Sequence, residues 1–568
     1  MSVPGSRGAA QRFLGLVAAY VAVTAAMAAP YLNFAHFGRA TYGGDAQLNI
    51  WFLAWANHAV LHGLPLFDSN LFFPAPDSLR YNEHAFAISL FSLPWAAAGA
   101  SPVLAYTVTW CASFVLNGLA AYALLRRFVQ TALAAFLGSL VFAYSFYVML
   151  HAHGHLQLIW AWGLPASVLL LMRWFDRPTV PGIAAWAAVL VLQMLASWYL
   201  AVMAVVVTTV AVLVLLASAG DAAHDAPHQR IAPVSGPWRQ RFVQMLGGAV
   251  FVVACVYPFA SHYQGLRASE AEAAAESATL SSYWVPPANT VEGRWWLGHV
   301  DARPGSIWGE QSLYLGWLAI ALGVVGVTRL SRRQGSRRAW LFPAIAVTGF
   351  LLSLGPTPAL LGGSALAPFH WLSVLPGVGG MRAPARFAVL VTLGTSGLVA
   401  IGAEALLRAG GAKARLLLCL VAPLMLAEWF VVDFPGGTPA PFDVPAIYRT
   451  PEVRRARALV SLPDYRGTAE WYREGDYVAY STAHWRPIVN GYGRAEPPGH
   501  ADLIAIVRRF PATASTIRAL GVQYVVVHAD RFADGAATML ADARASAGCR
   551  LVARIGSDYL FELVAPQQ

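Results

Sequence analysis

The chain has 568 residues, of which 57% are hydrophobic and only 12% charged, with a formal net charge of +10 and a mean hydropathy of +0.52. Soluble domains carry about 25% charged residues, so half that share excludes an ordinary soluble enzyme, and the apolar excess excludes a disordered chain. The basic balance does not point to nucleic acid either, because of the 39 basic residues only Lys413 is lysine and the arginines are spread through loops. What remains is a polytopic membrane protein with room for one further domain. Cys111, Cys255, Cys419 and Cys549 lie far apart, the first three in apolar runs, and suggest neither a disulfide framework nor a zinc site. The heavy use of Arg and Ala with almost no Lys points to a GC-rich bacterial source.

Apolar stretches of about 17–25 residues can cross a bilayer as helices. Eleven are expected, near 13–33, 102–125, 131–150, 156–172, 182–197, 199–218, 242–260, 312–330, 340–358, 387–408 and 414–432. The first has a longer apolar core than a signal peptide's and is read as an uncleaved span. Basic residues orient the set. With a cytoplasmic N-terminus, Arg126/Arg127, Arg173/Arg177, Arg230/Arg239/Arg241, Arg329 to Arg338 and Arg408/Lys413/Arg415 all fall inside. The opposite face receives the 34–101 loop, the His151–His155 turn, the 261–311 and 359–386 loops and everything after 433. The segments with unusual polar chemistry thus share one face.

Along that face, the first loop opens Tyr42-Gly43-Gly44-Asp45, and the glycines permit a sharp turn at Asp45. A helical stretch follows over 46–62, whose Trp51, Phe52 and Trp55 suit an interfacial helix with aromatics at headgroup level. Asp45 reads either as a helix N-cap or as a carboxylate that removes a proton from an acceptor hydroxyl, and both hold together. Glu83 and His84 precede the next apolar run, where a carboxylate and an imidazole are costly unless paired or used. Glu83 is the second candidate acid/base or metal ligand, with a solvated helix start as the plainer reading. His151, His153 and His155 alternate at a span end, a pattern that serves as metal ligands from an extended chain, as substrate contacts, or simply as interface residues. The 261–311 loop carries an acidic run (Glu270, Glu272, Glu276), read as a solvated helix face. It also carries Tyr283 and Trp284, with Arg294, Trp295 and Trp296 beyond, aromatics suited to a sugar ring or to lipid. Before the tenth span, Arg382 and Arg386 flank Pro384 at a helix mouth, where two guanidiniums beside free N–H groups suit a phosphate; interfacial snorkelling is the plainer alternative. The inner 219–241 loop reads as a connector.

The tail from about 433 is more polar. Runs Tyr524–His528 and Tyr559–Leu563 read as short buried strands, and 499–520 and 534–547 have helical character. The expected division is therefore 1–432, a transmembrane domain that includes the first outer loop 34–101, and 433–568, a small extracytoplasmic α/β domain with 433–445 as its linker.

A first span, a long outer loop with an early acidic residue and a helix, many further spans and an outer C-terminal domain together resemble the GT-C type of membrane glycosyltransferase. Leu375–Phe387 and Leu520–His528 are also similar to stretches of uncharacterised bacterial members. The resemblance implies a polyprenyl-phosphate-linked sugar donor and puts the catalytic role on Asp45. Relatives often carry two adjacent acidic residues, whereas Ala46 and Gln47 follow Asp45 here. The implied mechanism holds the donor phosphate on Arg382 and Arg386 with Arg294, leaves His84, His153, His155, Tyr283 and Trp284 for substrate contacts, and requires no cofactor, with metal use open. The acceptor is a glycan, lipid or protein, on the outer side of a bacterial plasma membrane; a single base favours inversion, since a retaining double displacement needs a second close carboxylate, for which only Glu83 offers. The rival readings are a non-catalytic transporter or lipid-handling protein, which calls for broken helices or charges near the bilayer midplane, and a cell-envelope assembly component.

Overall fold

The computed structural model describes residues 4–218, 238–299, 309–332, 337–358, 366–375, 377–432, 437–493, 495–533 and 535–565. The predicted 219–241 connector lies largely outside them, as do parts of the 261–311 and 359–386 loops and of the 433–445 linker.

Among the described residues seven helices are long and apolar enough to cross a membrane: Gly8–Met27, Pro102–Leu125, Ala132–His151, Leu156–Asp176, Trp198–Ala217, Trp238–Tyr263 and Pro384–Trp429. Val180–Met194, Trp317–Ser331 and Leu341–Ser353 are shorter apolar helices. The longest helix is broken at Gly411, whose φ of 52° and ψ of −127° only glycine adopts easily, and its two halves match the predicted stretches 387–408 and 414–432. The chain is a multi-pass membrane protein.

Two compact units emerge: residues 1–32 with 110–438, and residues 33–109 with 439–568. The first loop, assigned by the sequence reading to the membrane part, thus belongs to the same unit as the tail.

In the helical unit, the first half of Ala388–Trp429 is central and almost wholly buried. Lipid tails are as apolar as leucine, so such helices associate through close packing, which small residues permit. A Cβ on Gly402 would collide with the Leu322 carbonyl, one on Gly326 with the Leu398 carbonyl, and one on Gly397 with the Phe342 ring. Gly402→Val is expected to destabilise the protein by about 1–3 kcal/mol, read as a lower thermal midpoint and less monodisperse protein in detergent. Polar side chains collect at the two ends of these helices. At one end Asp176 pairs with Arg127 and Arg338, each at 2.5 Å, and Glu404 accepts from Thr131 and Arg408.

The other unit contains a four-stranded sheet in the order Leu459–Leu462, Tyr524–His528, Asp558–Leu563, Cys549–Ile555. The first pair is parallel and the others antiparallel. Tyr524–His528 is buried along its whole length, as a strand covered on both faces must be. The predicted helical stretches appear as His500–Val507, Ala514–Ala519 and Ala537–Ala545, and Val507, Ile517, Val525, Val527 and Phe561 are sealed in the core. The same unit holds the helices Asp45–His62 and Phe86–Ala97, which pack on one another. Here the expectation of headgroup-level aromatics fails. Trp51, Phe52 and Trp55 are internal, and the indole N–H groups of Trp51 and Trp55 donate to Asn70 Oδ1 at 3.1 Å and to the Leu66 carbonyl at 2.8 Å. A tryptophan satisfied by its own fold does not need the interface.

Candidate functional site

Asp45 is the first residue of its helix, and the N-cap is Gly44; the expectation that Asp45 is itself the cap is corrected. Gly44 has φ 65° and ψ −120°, a conformation that carries the chain sharply from Tyr42 into the helix. The Gly44 N–H donates to Gln47 Oε1 at 3.1 Å, so Gln47 does the capping from within. Gln47 is fixed in turn. Its Nε2 donates to Asp476 Oδ1 at 2.6 Å, Asp476 Oδ2 accepts from Arg531 at 2.8 Å, and Arg531 donates to the Tyr480 hydroxyl at 2.7 Å. Gly475 lies so close to Gly44 that a Cβ there would be 2.8 Å from the Gly44 carbonyl. The turn bearing Asp45 is therefore clamped by helix Glu474–Tyr480 of the tail. The Asp45 carboxylate is half-buried, within electrostatic reach of Tyr106.

Beside the clamp, Glu474 is buried and accepts from the Tyr465 N–H at 2.8 Å and from Asn490 at 3.2 Å. Burial pushes its carboxyl up to about 7, against the pull of Arg466. Because the fold prefers the neutral acid, this group's stabilisation is full below about pH 4.5 and is lost as the pH rises through 7. The wild-type melting temperature should thus fall between about pH 5 and 8, and Glu474→Gln should flatten that fall.

Glu83 is half-buried and His84 buried in the same unit. His84 Nδ1 accepts from the Phe86 N–H at 3.1 Å, which leaves its proton on Nε2 and ties the ring to the start of helix Phe86–Ala97.

The remaining predicted residues belong to the helical unit. Arg386 is buried, and its guanidinium donates to both oxygens of Glu310, the closest approach being 2.5 Å. It lies over the Tyr199 ring, 4.5 Å from the centroid. His151 Nε2 stands 3.8 Å from Glu310, and its Nδ1 is 3.4 Å from His155 Nδ1. Burial by itself raises the Glu310 carboxyl, but Arg386 and His151 outweigh it and hold Glu310 well below the usual carboxylate range. Arg382 is half-buried, 4.0 Å from Glu276, with its backbone N–H donating to the Tyr199 hydroxyl at 3.3 Å. The two arginines, read together from the sequence as a phosphate cradle, therefore have different partners. Arg386 is half of a neutral buried pair, and Arg382 lies in a looser contact.

The histidine segment is a turn, not the extended chain that the metal reading required: His151 ends a helix and 152–154 turn back. Among the described residues no three His, Cys, Asp or Glu side chains group to hold a metal. His153 and His155 are half-buried. Tyr283 is internal, with its hydroxyl donating to Ser353 at 2.6 Å, whereas Trp284 is 46% exposed and Arg294 exposed. Sequence reasoning passed over Glu310, Tyr199, Asp476 and Arg531. Glu310 had one available signal, since a buried arginine at a helix mouth demands a counter-charge.

The fold recurs in solved structures. The oligosaccharyltransferase of Archaeoglobus fulgidus in its apo form matches at a TM-score of 0.50 and 11% identity, over 90% of this chain and 69% of that one. The arabinofuranosyltransferase AftD from Mycobacteria matches at 0.52 and 15%, over 98% of this chain and 40% of AftD, so the chain spans two-fifths of that protein. ArnT from Cupriavidus metallidurans, bound to undecaprenyl phosphate, gives 0.48 and 12%, over 98% of each chain. No curated protein matches. The architecture defines a polytopic membrane protein with a GT-C-like fold and a small C-terminal mixed sheet. Residues 84–427 match the family described as Domain of unknown function (DUF6311), and the chain belongs to that family.

Proposed function

We propose that the protein is a membrane glycosyltransferase that moves a sugar from a polyprenyl-phosphate donor to an acceptor hydroxyl, on the extracytoplasmic face of a bacterial plasma membrane. The observation that carries this reading is the clamped turn at Asp45, which holds the backbone bearing one carboxylate at a helix start in a fold shared with two glycosyl-transferring proteins. Asp45 takes the proton of the acceptor hydroxyl as its oxygen bonds to the anomeric carbon. The bond from that carbon to the phosphate oxygen breaks, and the electron pair leaves with the polyprenyl phosphate. A carboxylate nearby also stabilises the oxocarbenium-like transition state. Arg382 is the main phosphate ligand, because Arg386 spends its fork on Glu310, and the exposed Arg294 adds to the field. Glu83 is a secondary carboxylate; His84, His153, His155 and Trp284 are candidate substrate contacts. One base suffices for inversion.

The test incubates purified protein with labelled polyprenyl-phosphate pentoses and hexoses, expecting sugar transfer or slow donor hydrolysis. No turnover of any such donor would overturn the assignment. Within the same assay Arg531→Ala, which removes the cation from Asp476, is expected to lower kcat about tenfold or more with the donor KM unchanged, as a displaced base requires. An unchanged kcat would show that the clamp does not position Asp45.

A further inference from the structure

The tail segment that clamps Gln47 also carries an aromatic surface to the same turn. Trp471–Arg473 form a single helical turn immediately before helix Glu474–Tyr480. Trp471 and Tyr472 are 40% and 44% exposed, large values for such side chains inside a unit whose other aromatics are mostly sealed. Trp471 stacks on Tyr492, with ring centroids 5.2 Å apart and planes 9° from parallel. Both tyrosines reach the glycine turn. A Cβ on Gly44 would stand 3.1 Å from the Tyr492 hydroxyl and 3.2 Å from Tyr472 Cβ, and one on Gly43 would stand 3.6 Å from the Tyr472 ring. Gly44 thus leaves room for the Tyr492 hydroxyl and the Tyr472 side chain against the backbone that bears Asp45. Around them the surface is charged rather than greasy, with Arg473 and Glu470 paired at 3.2 Å and both more than a third exposed.

Two exposed aromatic side chains with charged neighbours, next to the backbone turn that bears Asp45, select a particular chemistry. An acyl chain gains nothing from the charged rim and would want a longer apolar surface. A sugar ring presents C–H bonds on one face, which suit the negative π face of an aromatic ring, and hydroxyls at its edge, which need hydrogen-bonding partners. We propose that Trp471 and Tyr472 form the binding platform for a saccharide acceptor, held beside Asp45 so that one sugar hydroxyl meets the carboxylate. This rests on the glycosyl-transfer reading and names its acceptor class.

The experiment measures binding directly, without turnover. Full-length protein in lipid nanodiscs is titrated with a panel of methyl glycosides and linear oligosaccharides, followed by saturation-transfer NMR, with short hydroxyl-bearing peptides as a second arm. Saccharide binding by the wild type is expected, with Kd raised about tenfold in Trp471→Ala and Tyr472→Ala. Trp471→Phe, which keeps a flat ring, should restore most of it. Binding of peptides alone, no saccharide binding, or wild-type affinity in the two alanine variants would each overturn the platform. Platform-dependent saccharide binding without transfer from any lipid-linked donor would instead retain the platform and reject the reading on which its acceptor role rests.

Discussion

Asp45→Asn is expected to abolish sugar transfer, with turnover lowered about 10²–10⁴-fold as for loss of a general base, while membrane yield and melting temperature stay close to wild type. The separation is expected because the turn has a hold that does not depend on the Asp45 carboxylate. The cap is the Gly44 N–H donating to Gln47, and Gln47 is held by Asp476 and Arg531. A carboxylate in the first helical turn contributes about 0.3–1 kcal/mol through the helix dipole, too little to unfold the chain. The measurement pairs a labelled-donor assay with thermal unfolding of the same preparation. Full activity in Asp45→Asn would remove this residue from the mechanism. Glu83→Gln serves as the comparison: a small effect fits inversion with a single base, whereas an equal loss points to a double displacement through a second carboxylate.

Arg386→Met or Glu310→Gln alone is expected to destabilise the helical unit by about 3–5 kcal/mol, because each leaves the other charge buried without its partner. The double variant Arg386→Met with Glu310→Leu should recover much of that loss, since apolar residues of similar volume replace a buried pair at little cost. Strictly additive losses in the double variant would show that the two side chains do not act as a pair. The pH dependence has a definite sign. The Glu310 carboxyl is held below its ordinary value, so its stabilisation is complete above about pH 4.5 and is lost as the pH falls further. Glu310→Gln should lack that acid-side loss. Arg382→Ala is the matching control for phosphate binding, because its contact with Glu276, at 4.0 Å and partly open to solvent, contributes little to stability.

The membrane character and most of the apolar helices were legible in the chain because a bilayer imposes length and apolarity on every span, and both are properties of consecutive residues. The strand Tyr524–His528 was legible for a similar reason: five buried residues in a row leave a mark on sequence. The turn at Gly43 and Gly44 was also visible, because the positive φ that Gly44 adopts selects glycine. Other features were not. Trp51 and Trp55 look the same in sequence whether their indoles face lipid headgroups or Asn70 and Leu66, and only the packing of helix Asp45–His62 decides between them. Arg382 and Arg386 share a helix mouth, yet Glu310, from a loop 76 residues away in sequence, pairs with Arg386 and sets it apart from Arg382. The association of residues 33–109 with 439–568, and with it the grip of Asp476 on Gln47 across 429 residues, depends on long-range contacts. Such contacts carry no local periodicity, so local pattern named Asp45 while tertiary structure alone supplied what holds its turn.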